Sequence, residues 1–197
     1  MISVCTINRN EEKFINNKIE KYKDDKVWIT KKARMNAEAR YLKYNNRAVI
    51  FLNIYSAELI IISILSLIFN SELNSLISIF LSIAIMAVSV ILASMDFKEQ
   101  ANHHKKSYLE LMKIEEELAN LELDCSKKNH DEIVNKYIEI KKNYIKILES
   151  TPNHKDIDYK KVREERDLKG CIYTTLYFIA LFLPIIFVVI YFICIRG

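Results

Sequence analysis

Three long apolar runs dominate this sequence: Val49–Phe69, Leu73–Met95 and Cys171–Ile195. Each run is about as long as the ~20 residues that a helix needs to cross a ~30 Å hydrocarbon layer. None of them alternates strictly between apolar and polar residues, as the strands of a membrane barrel do. Inside lipid only helices and closed barrels satisfy their own backbone hydrogen bonds, so the runs predict three membrane-spanning helices.

Composition supports a helical membrane protein. Hydrophobic residues make up 51% of the chain and charged residues 27%, and their separation into blocks leaves the mean hydropathy near zero (+0.02). Only two glycines and two prolines occur in 197 residues, which disfavours turn-rich β folds and flexible linkers. The predicted fold is an all-α membrane protein: a two-helix transmembrane hairpin, a cytoplasmic amphipathic helical hairpin and a C-terminal third transmembrane helix. The predicted regions are a cytoplasmic basic N-terminal helical region (1–48), the transmembrane hairpin (49–95, with spans 49–69 and 73–95), the cytoplasmic helical hairpin or coiled-coil region (96–170) and the third transmembrane helix (171–195).

The placement of lysine and arginine predicts the orientation of these spans. The loop between the first two runs, Asn70–Asn74, contains neither residue, whereas basic residues flank the other ends of both runs and the start of the third. Positive charge stays on the cytoplasmic side of a membrane. We therefore expect the N-terminus and residues 96–170 to be cytoplasmic and the C-terminus to lie outside. The basic residues concerned are Lys31, Lys32, Arg34, Arg40, Lys43, Arg47, Lys98, Lys105, Lys106, Lys160, Lys161, Arg163, Arg166 and Lys169.

Two amphipathic helices are predicted between the second and third runs. In residues 97–125 apolar residues recur at steps of three and four, and Asp131–Glu149 repeats the pattern. Pro152 disfavours helical geometry in the residue before it and ends the second helix. The two helices are expected to form an antiparallel hairpin or a coiled coil with another subunit.

Helical segments are also predicted beside the first and third spans. Lys26–Arg47 is free of glycine and proline and leads into the first run. We therefore expect it to join the first span in one continuous helix of about 40 residues. Asp156 or Asp158 is placed to cap a final amphipathic piece that leads into the third run.

Polar residues inside the first two spans fall at helical spacing, in one stripe on each helix. Small polar residues let helices approach closely, and their hydrogen bonds contribute about 0.6–2 kcal/mol each. The stripes fit two arrangements, a hairpin packed through serines or the lining of an oligomeric pore, and repacking on activation would connect the two. The helix-packing or pore-lining candidates are Asn53, Ser56, Glu58, Ser63, Ser66, Ser75, Ser78, Ser82 and Ser89.

Among these candidates Glu58 is a carboxylate in the middle of the first span. A charged side chain at the bilayer centre costs roughly 2.5–3.5 kcal/mol, which the neighbouring isoleucines and leucines offset. Glu58 lies about 200° round the helix from Ser56 and so marks a different face. A ring facing a pore, a protonated donor between helices and a partner of Asn53 all fit this position.

No catalytic, cofactor-binding or metal-binding signature is present in the sequence. It contains no phosphate-binding loop, GxSxG or HExxH motif. The four cysteines lack CxxC spacing, and the four histidines lack a carboxylate or thiol cluster at metal-ligand spacing. We therefore expect a protein that is not an enzyme, with no cofactor, no metal and no direct contact with nucleic acid.

Two short stretches outside the spans resemble a known family. Trp28–Arg40 (WITKKARMNAEAR) precedes the transmembrane hairpin, and Pro152–Tyr159 (PNHKDIDY) follows the cytoplasmic helices. Their order resembles the SLATT domains, two-transmembrane effector domains of bacterial conflict systems, and their Arg-x-x-Ala-x-x-Arg and Asn-His-x-x-Ile-Asp-Tyr patterns resemble the branch found beside reverse transcriptases. The resemblance implies a signalling or assembly surface, with the candidates Trp28, Arg34, Ala37, Arg40, Asn153, His154, Asp158 and Tyr159.

The same residues also have simpler interpretations. The Asn153–Tyr159 element suits a turn that caps and staples helices, a surface for a protein partner or a ligand contact. Arg34 and Arg40 are six residues apart, which places them about 120° apart round a helix. They also suit a cationic face against anionic lipid headgroups, which contributes about 1 kcal/mol for each residue.

The resemblance further implies a function in the bacterial inner membrane, as the effector of an antiphage or abortive-infection system. A sensor partner encoded nearby, a reverse transcriptase or a nucleotide-signalling enzyme, would trigger homo-oligomerisation into a pore that permeabilises the membrane. The alternative is a non-conducting membrane anchor or scaffold that recruits a cytoplasmic partner through its helical hairpin. The expected partners are thus the lipid bilayer, further copies of the chain and a sensor protein.

Overall fold

The computed structural model describes residues 13–69, 72–124, 130–152 and 155–162, together with residues 175, 177 and 179. No strand occurs in this part of the chain, so the described fold is all-α, as predicted. The third predicted span lies outside the described residues, except that 175, 177 and 179 are helical. The helices are α1 (Ile29–Phe69), α2 (Glu72–Ser94), α3 (Phe97–Asp124), α4 (His130–Glu149) and α5 (Asp156–Val162).

The helix before the first span is longer than predicted. Residues 13–22 are helical, Lys23–Trp28 form a π-helical turn, and the 41 residues of α1 follow without a break. A π turn accommodates one more residue than an α turn. That extra residue lets Ile19 and Val27, both with no exposed surface, share one side, although eight residues of α-helix would place them about 80° apart.

Two helices are long and apolar enough to cross a membrane by length and composition, within Lys13–Ile68 and Ser75–Asp124. None of the apolar 18-residue window in either helix is buried within the chain. Large apolar side chains stand exposed along them, including Leu67 at 81% and Phe80 at 72%. Because an exposed apolar surface this long needs lipid or protein to cover it, α1 and α2 form the predicted two-helix transmembrane architecture.

A sharp break separates α2 from α3. Asp96 has a φ of 43°, in the left-handed region that aspartate enters more readily than most residues. The Met95 and Asp96 amides still donate to the carbonyl oxygens of Ile91 (3.2 Å) and Ala93 (3.3 Å). The break coincides with the change from the apolar sequence of α2 to the charged sequence of α3.

The chain divides into two compact units. The polar unit comprises Met1–Arg40 and Glu99–Arg166, and the apolar unit comprises Tyr41–Lys98 and Asp167–Gly197. Within the polar unit α3 and α4 follow the predicted ranges closely, and helical residues 15–27 pack against both, a contact that the sequence analysis did not predict. The core consists of Ile19, Val27, Leu111, Ile114, Leu118, Leu121, Ile133, Ile140 and Tyr144.

Candidate functional site

The polar unit contains a buried ion pair between α1 and α5. Arg40 donates from Nε to Asp158 Oδ1 at 3.0 Å and from a terminal nitrogen to Oδ2 at 2.9 Å. The two side chains are only 12% and 3% exposed. A bidentate arginine–carboxylate pair fixes both the distance and the angle between the groups. The pair therefore holds α5 against α1 in one orientation.

Local sequence explains why Asp158 is available for this contact. Lys155 precedes α5, and its amide donates to Asp158 Oδ2 at 3.1 Å, while the Asp158 amide donates to the Lys155 carbonyl oxygen at 2.9 Å. An acidic residue three positions into a helix commonly bonds back to the capping residue in this way. Of the two aspartates predicted to cap this helix, Asp158 makes the described bond. Its carboxylate thus begins α5 and binds Arg40 at the same time.

Two further side chains of α1 bind the chain around α5. The Asn36 amide nitrogen donates to the Asp158 carbonyl oxygen at 3.1 Å, and the Arg34 guanidinium donates to the Pro152 carbonyl oxygen at 3.2 Å. Arg34 has no exposed surface, and its Nε has no hydrogen-bond partner in the described part of the chain. Burial lowers the pKa of the Arg34 guanidinium below its ordinary value. A buried cation with few partners keeps its place only where the surrounding contacts hold it.

These positions differ from the cationic lipid-facing surface that suited Arg34 and Arg40. Arg34 is fully buried and Arg40 nearly so, because one binds the chain that follows α4 and the other binds α5. Ala37 is also fully buried. The buried side chains of Arg34 and Arg40 therefore hold α1 against α5 and the segment before it, within the polar unit.

Of the remaining signalling candidates, two are exposed and two lie outside the described residues. Trp28 is 40% exposed, with Lys32 Nζ 5.8 Å from its ring centroid, and Tyr159 is 37% exposed. Asn153 and His154 lie outside the described residues. Trp28 and Tyr159 thus remain on the surface of the polar unit, where a partner protein has access to them.

Polar contacts between the N-terminal helix and α3 were missed by the sequence analysis. Lys23 binds Glu122 at 2.6 Å, which raises the pKa of Lys23, and Lys31 forms an ion pair with Glu115. The lysines are eight residues apart and the glutamates seven, so the extra residue of the π turn brings both pairs into register. The eight-to-seven mismatch is the sequence signal that predicts an inserted residue.

In the apolar unit the two serine stripes meet at one point. Ser63 Oγ and Ser78 Oγ lie 2.8 Å apart, and Ser63 donates its proton to the Leu59 carbonyl oxygen at 2.8 Å. Ser78 must therefore donate to Ser63, because a hydroxyl has one proton. Ser66 is 8% exposed and donates to the Ser63 carbonyl oxygen at 2.9 Å. These contacts are those of the predicted hairpin packed through serines.

The first stripe does not stay on one face. Asn53 and Ser56 are exposed, whereas Ser63 and Ser66 turn towards the hairpin. At 100° per residue Ser63 lies about 80° and Ser66 about 140° round the helix from Asn53, so these residues do not share one face. Glu58 is half-buried on a third side. The stripe predicted as a single line is therefore divided between an inner and an outer face.

Half of the second stripe is exposed. Ser75 and Ser82 are exposed, and Ser89 is half-buried. Ser82 donates to the Ile79 carbonyl oxygen at 2.7 Å and Ser89 to that of Met86 at 2.8 Å. A hydroxyl that bonds to its own helix enters lipid without a partner from another helix. These serines are therefore compatible with a lipid-facing resting state.

The histidines of α3 do not form a metal site with their neighbours. His104 is almost fully buried in α3, and His103 Nε2 lies 3.6 Å from Glu99 Oε1 on the exposed side. Among the described residues no group of three histidine, cysteine or acidic side chains is placed to hold a metal ion.

Comparison with known proteins identifies the family. A family model described as SMODS and SLOG-associating 2TM effector domain family 5 (SLATT_5) matches residues 15–196, nearly the whole chain. Neither the curated proteins nor the solved structures contain a match. The match spans the N-terminal helix, the two apolar helices, the polar unit and the C-terminal run in one continuous stretch. The chain therefore belongs to the SMODS and SLOG-associating two-transmembrane effector domain family 5.

Proposed function

We propose that this chain is the membrane effector of an antiphage or abortive-infection system and forms a homo-oligomeric pore in the bacterial inner membrane. Membership of a two-transmembrane effector family supports a role in conflict systems. The observation that carries the pore itself is the exposed, serine-bearing surface of α1 and α2. A sensor partner, a reverse transcriptase or a nucleotide-signalling enzyme encoded nearby, triggers assembly.

The hairpin is weakly fixed, which suits a structure that repacks. Ser63 and Ser78 form its described side-chain hydrogen bond between helices. Such a bond contributes about 0.6–2 kcal/mol in a membrane. Ser82 and Ser89 of α2 already bond to their own backbone, so they need no partner from another helix at rest and offer hydroxyls to a pore after rearrangement. Repacking therefore breaks few bonds.

The polar unit supplies the part that a sensor reaches. The lysine and arginine distribution supports an orientation with the N-terminus and residues 96–170 in the cytoplasm and the C-terminus outside. Trp28 and Tyr159 lie exposed on this unit. We infer that a sensor docks there and shifts the helices that lead into the membrane.

Membrane potential tests the pore directly. A voltage-sensitive dye is followed in bacteria after induction of the protein, alone and with its genomic neighbours. We expect rapid depolarisation, lost in Ser78→Leu and Ser82→Leu although both variants still insert. Ser94→Leu is the matched control, because Ser94 bonds to the Ile91 carbonyl oxygen of the same helix but lies off the stripe. Glu58→Gln is expected to change conductance or toxicity.

Two outcomes contradict this proposal. Undiminished killing by the Ser78 and Ser82 variants would remove the stripe from the pore. Full polarisation under every trigger, phage infection included, would favour a non-conducting anchor that recruits a cytoplasmic partner through α3 and α4.

A further inference from the structure

A regular line of exposed residues runs along the part of α1 that belongs to the apolar unit. Its steps of four, three, four, three and four residues are the spacing of the a and d positions in a coiled coil. All of its members are exposed; Leu42, at its start, is 39% exposed and Ile60, at its end, is 60% exposed. We call it the α1 seam, and it consists of Leu42, Asn46, Val49, Asn53, Ser56 and Ile60.

One of the two asparagines of the seam, Asn53, lies inside the predicted span 49–69, where lipid offers its amide no hydrogen-bond partner. Asn46 and Asn53 lie one heptad apart, at the a positions. The side-chain amide of Asn53 carries two N–H donors and an acceptor oxygen, and an acyl chain offers a partner to none of them. An unpaired amide in hydrocarbon is strongly unfavourable. The seam therefore requires a polar partner at the depth of Asn53.

We propose that the α1 seam is the contact between two copies of this chain, packed in parallel so that each asparagine meets the same asparagine of the second copy. Copies inserted in one membrane have the same orientation, so residues of equal number lie at equal depth. An amide is complementary to itself, as a two-fold contact requires. Asparagine at an a position also fixes register and oligomeric state in parallel coiled coils. The inference rests on the proposed oligomeric effector and names the contact through which it assembles.

The described neighbours of α1 contact other sides of the helix. The Tyr177 hydroxyl donates to the Arg47 carbonyl oxygen at 3.3 Å, and the Arg47 guanidinium lies 5.1 Å from the Tyr177 ring centroid. Arg47 is about 100° round the helix from Asn46. The next position of the repeat, Ser63, is bonded to Ser78 of α2, which is why the seam ends at Ile60. Among the described residues, none of these contacts covers the seam from Leu42 to Ile60, which leaves it available to a second copy.

Single-cysteine crosslinking tests the seam. The four native cysteines are replaced by serine, and Asn53→Cys and Ile60→Cys are compared with Ile61→Cys after oxidation by copper phenanthroline in bacterial membranes. Ile61 is the matched control, because it neighbours Ile60 and is similarly exposed (49%) but lies about 100° away round the helix. We expect disulfide-linked dimers at position 60 and several-fold fewer at 61; position 53 should crosslink less than 60, because its cysteine replaces the amide that strengthens the contact.

Other results overturn the proposal. Equal crosslinking at 60 and 61 would indicate random collisions, and none at 53 and 60 in inserted protein would assign this face to lipid or to the C-terminal run. Depolarisation in the same cells separates the two proposals. Seam crosslinks without depolarisation support the dimer and contradict the pore, whereas depolarisation without seam crosslinks supports the pore and overturns the seam.

A second pair of variants tests the amide itself. Asn53→Leu keeps an apolar side chain for packing and removes the hydrogen bonds, whereas Asn53→Gln retains an amide. Energy transfer between labelled copies in vesicles is expected to show association weakened about 3- to 30-fold for leucine. Glutamine should retain most of it. Equal association of the leucine variant and the unsubstituted protein would overturn the asparagine pairing.

Discussion

The two units of this chain satisfy their polar groups in different ways. In the polar unit, hydrogen bonds join residues far apart in sequence: Arg40 and Asp158 are separated by 118 positions, and Thr30 and Tyr144, whose hydroxyls lie 2.9 Å apart, by 114. In the apolar unit the described serines of α2 mostly donate to carbonyl oxygens three residues earlier. Polar groups tie the first unit together, whereas in the second unit Ser82, Ser89 and Ser94 each bond within their own helix.

The difference follows from what surrounds each unit. Buried polar groups in a packed domain need partners in fixed places, so the polar unit has one well-defined arrangement. A serine that bonds to its own helix is satisfied in lipid whichever helix stands beside it. The apolar helices can therefore exchange neighbours at small cost. This contrast teaches that tertiary packing fixes the polar groups of one unit, whereas local helix geometry satisfies most of the serines in the other.

Asp158→Ala should lower the stability of the polar unit more than any other change proposed here. A small effect would contradict the contrast between the two units. The substitution removes the carboxylate that pairs with the buried Arg40 guanidinium, and breaking a buried pair from one side costs about 3–5 kcal/mol. Trp28, the single tryptophan of the chain, belongs to the polar unit. Its fluorescence during urea unfolding in detergent therefore measures the stability of that unit.

Two controls accompany this measurement. Asp156→Ala changes an exposed aspartate in the same helical turn, and we expect it to cost less than about 1 kcal/mol. Replacing Arg40 by methionine and Asp158 by leucine together removes both charges and should recover most of the lost stability. An unchanged urea midpoint for Asp158→Ala would show that the pair does not stabilise the polar unit.

Leu118→Ala sharpens the contrast by testing the hydrophobic core of the polar unit. Leu118 has no exposed surface, and deleting a buried leucine costs about 2–5 kcal/mol. Leu123 on the same helix is 71% exposed, and Leu123→Ala should change the free energy of unfolding by less than about 0.5 kcal/mol. In the same fluorescence assay Phe80→Ala, in the apolar unit, should leave the urea midpoint unchanged. Similar losses for Leu118 and Leu123 would contradict the assigned core.

Alkaline pH should produce the smallest effect, confined to the polar unit. Burial raises the pKa of Tyr22 to about 12, with Tyr144 and Tyr137 adding to the shift. An unfolded tyrosine loses its proton near pH 10, whereas folded Tyr22 keeps it until about pH 12. The folded state thus binds more protons in this window, so stability falls as pH rises through it.

The variant Tyr22→Phe removes this contribution. Its melting temperature should fall less steeply between pH 10 and about 12 than that of the unsubstituted protein. Some slope should remain, because the bond to Glu122 raises the pKa of Lys23 as well. Tyr41→Phe, in the apolar unit, is the control. Identical slopes for Tyr22→Phe and the unsubstituted protein would count against burial as the cause.

Much of the fold was predictable because helices carry local signals. The apolar runs located α1 and α2, and the steps of three and four located α3 and α4 to within about a residue at their ends. The N-terminal contribution to the polar core was missed, since the π turn breaks the spacing that reveals an amphipathic face. Ser63 and Ser78, which meet between α1 and α2, belong to the two predicted stripes, but the stripe pattern did not reveal that Asn53 lies on the outer face, about 140° from Ser66.

The sequence by itself determined the helical class, the two apolar helices and the family, because each depends on composition or on residues a few positions apart. Only the tertiary structure decided the fate of Arg34 and Arg40. A guanidinium near a membrane suits a lipid headgroup or a carboxylate equally well by local pattern. The choice depended on Pro152 and Asp158, more than 100 residues away, being brought beside α1 by the packing of α3 and α4. Spacing along one helix carries no information about such a partner.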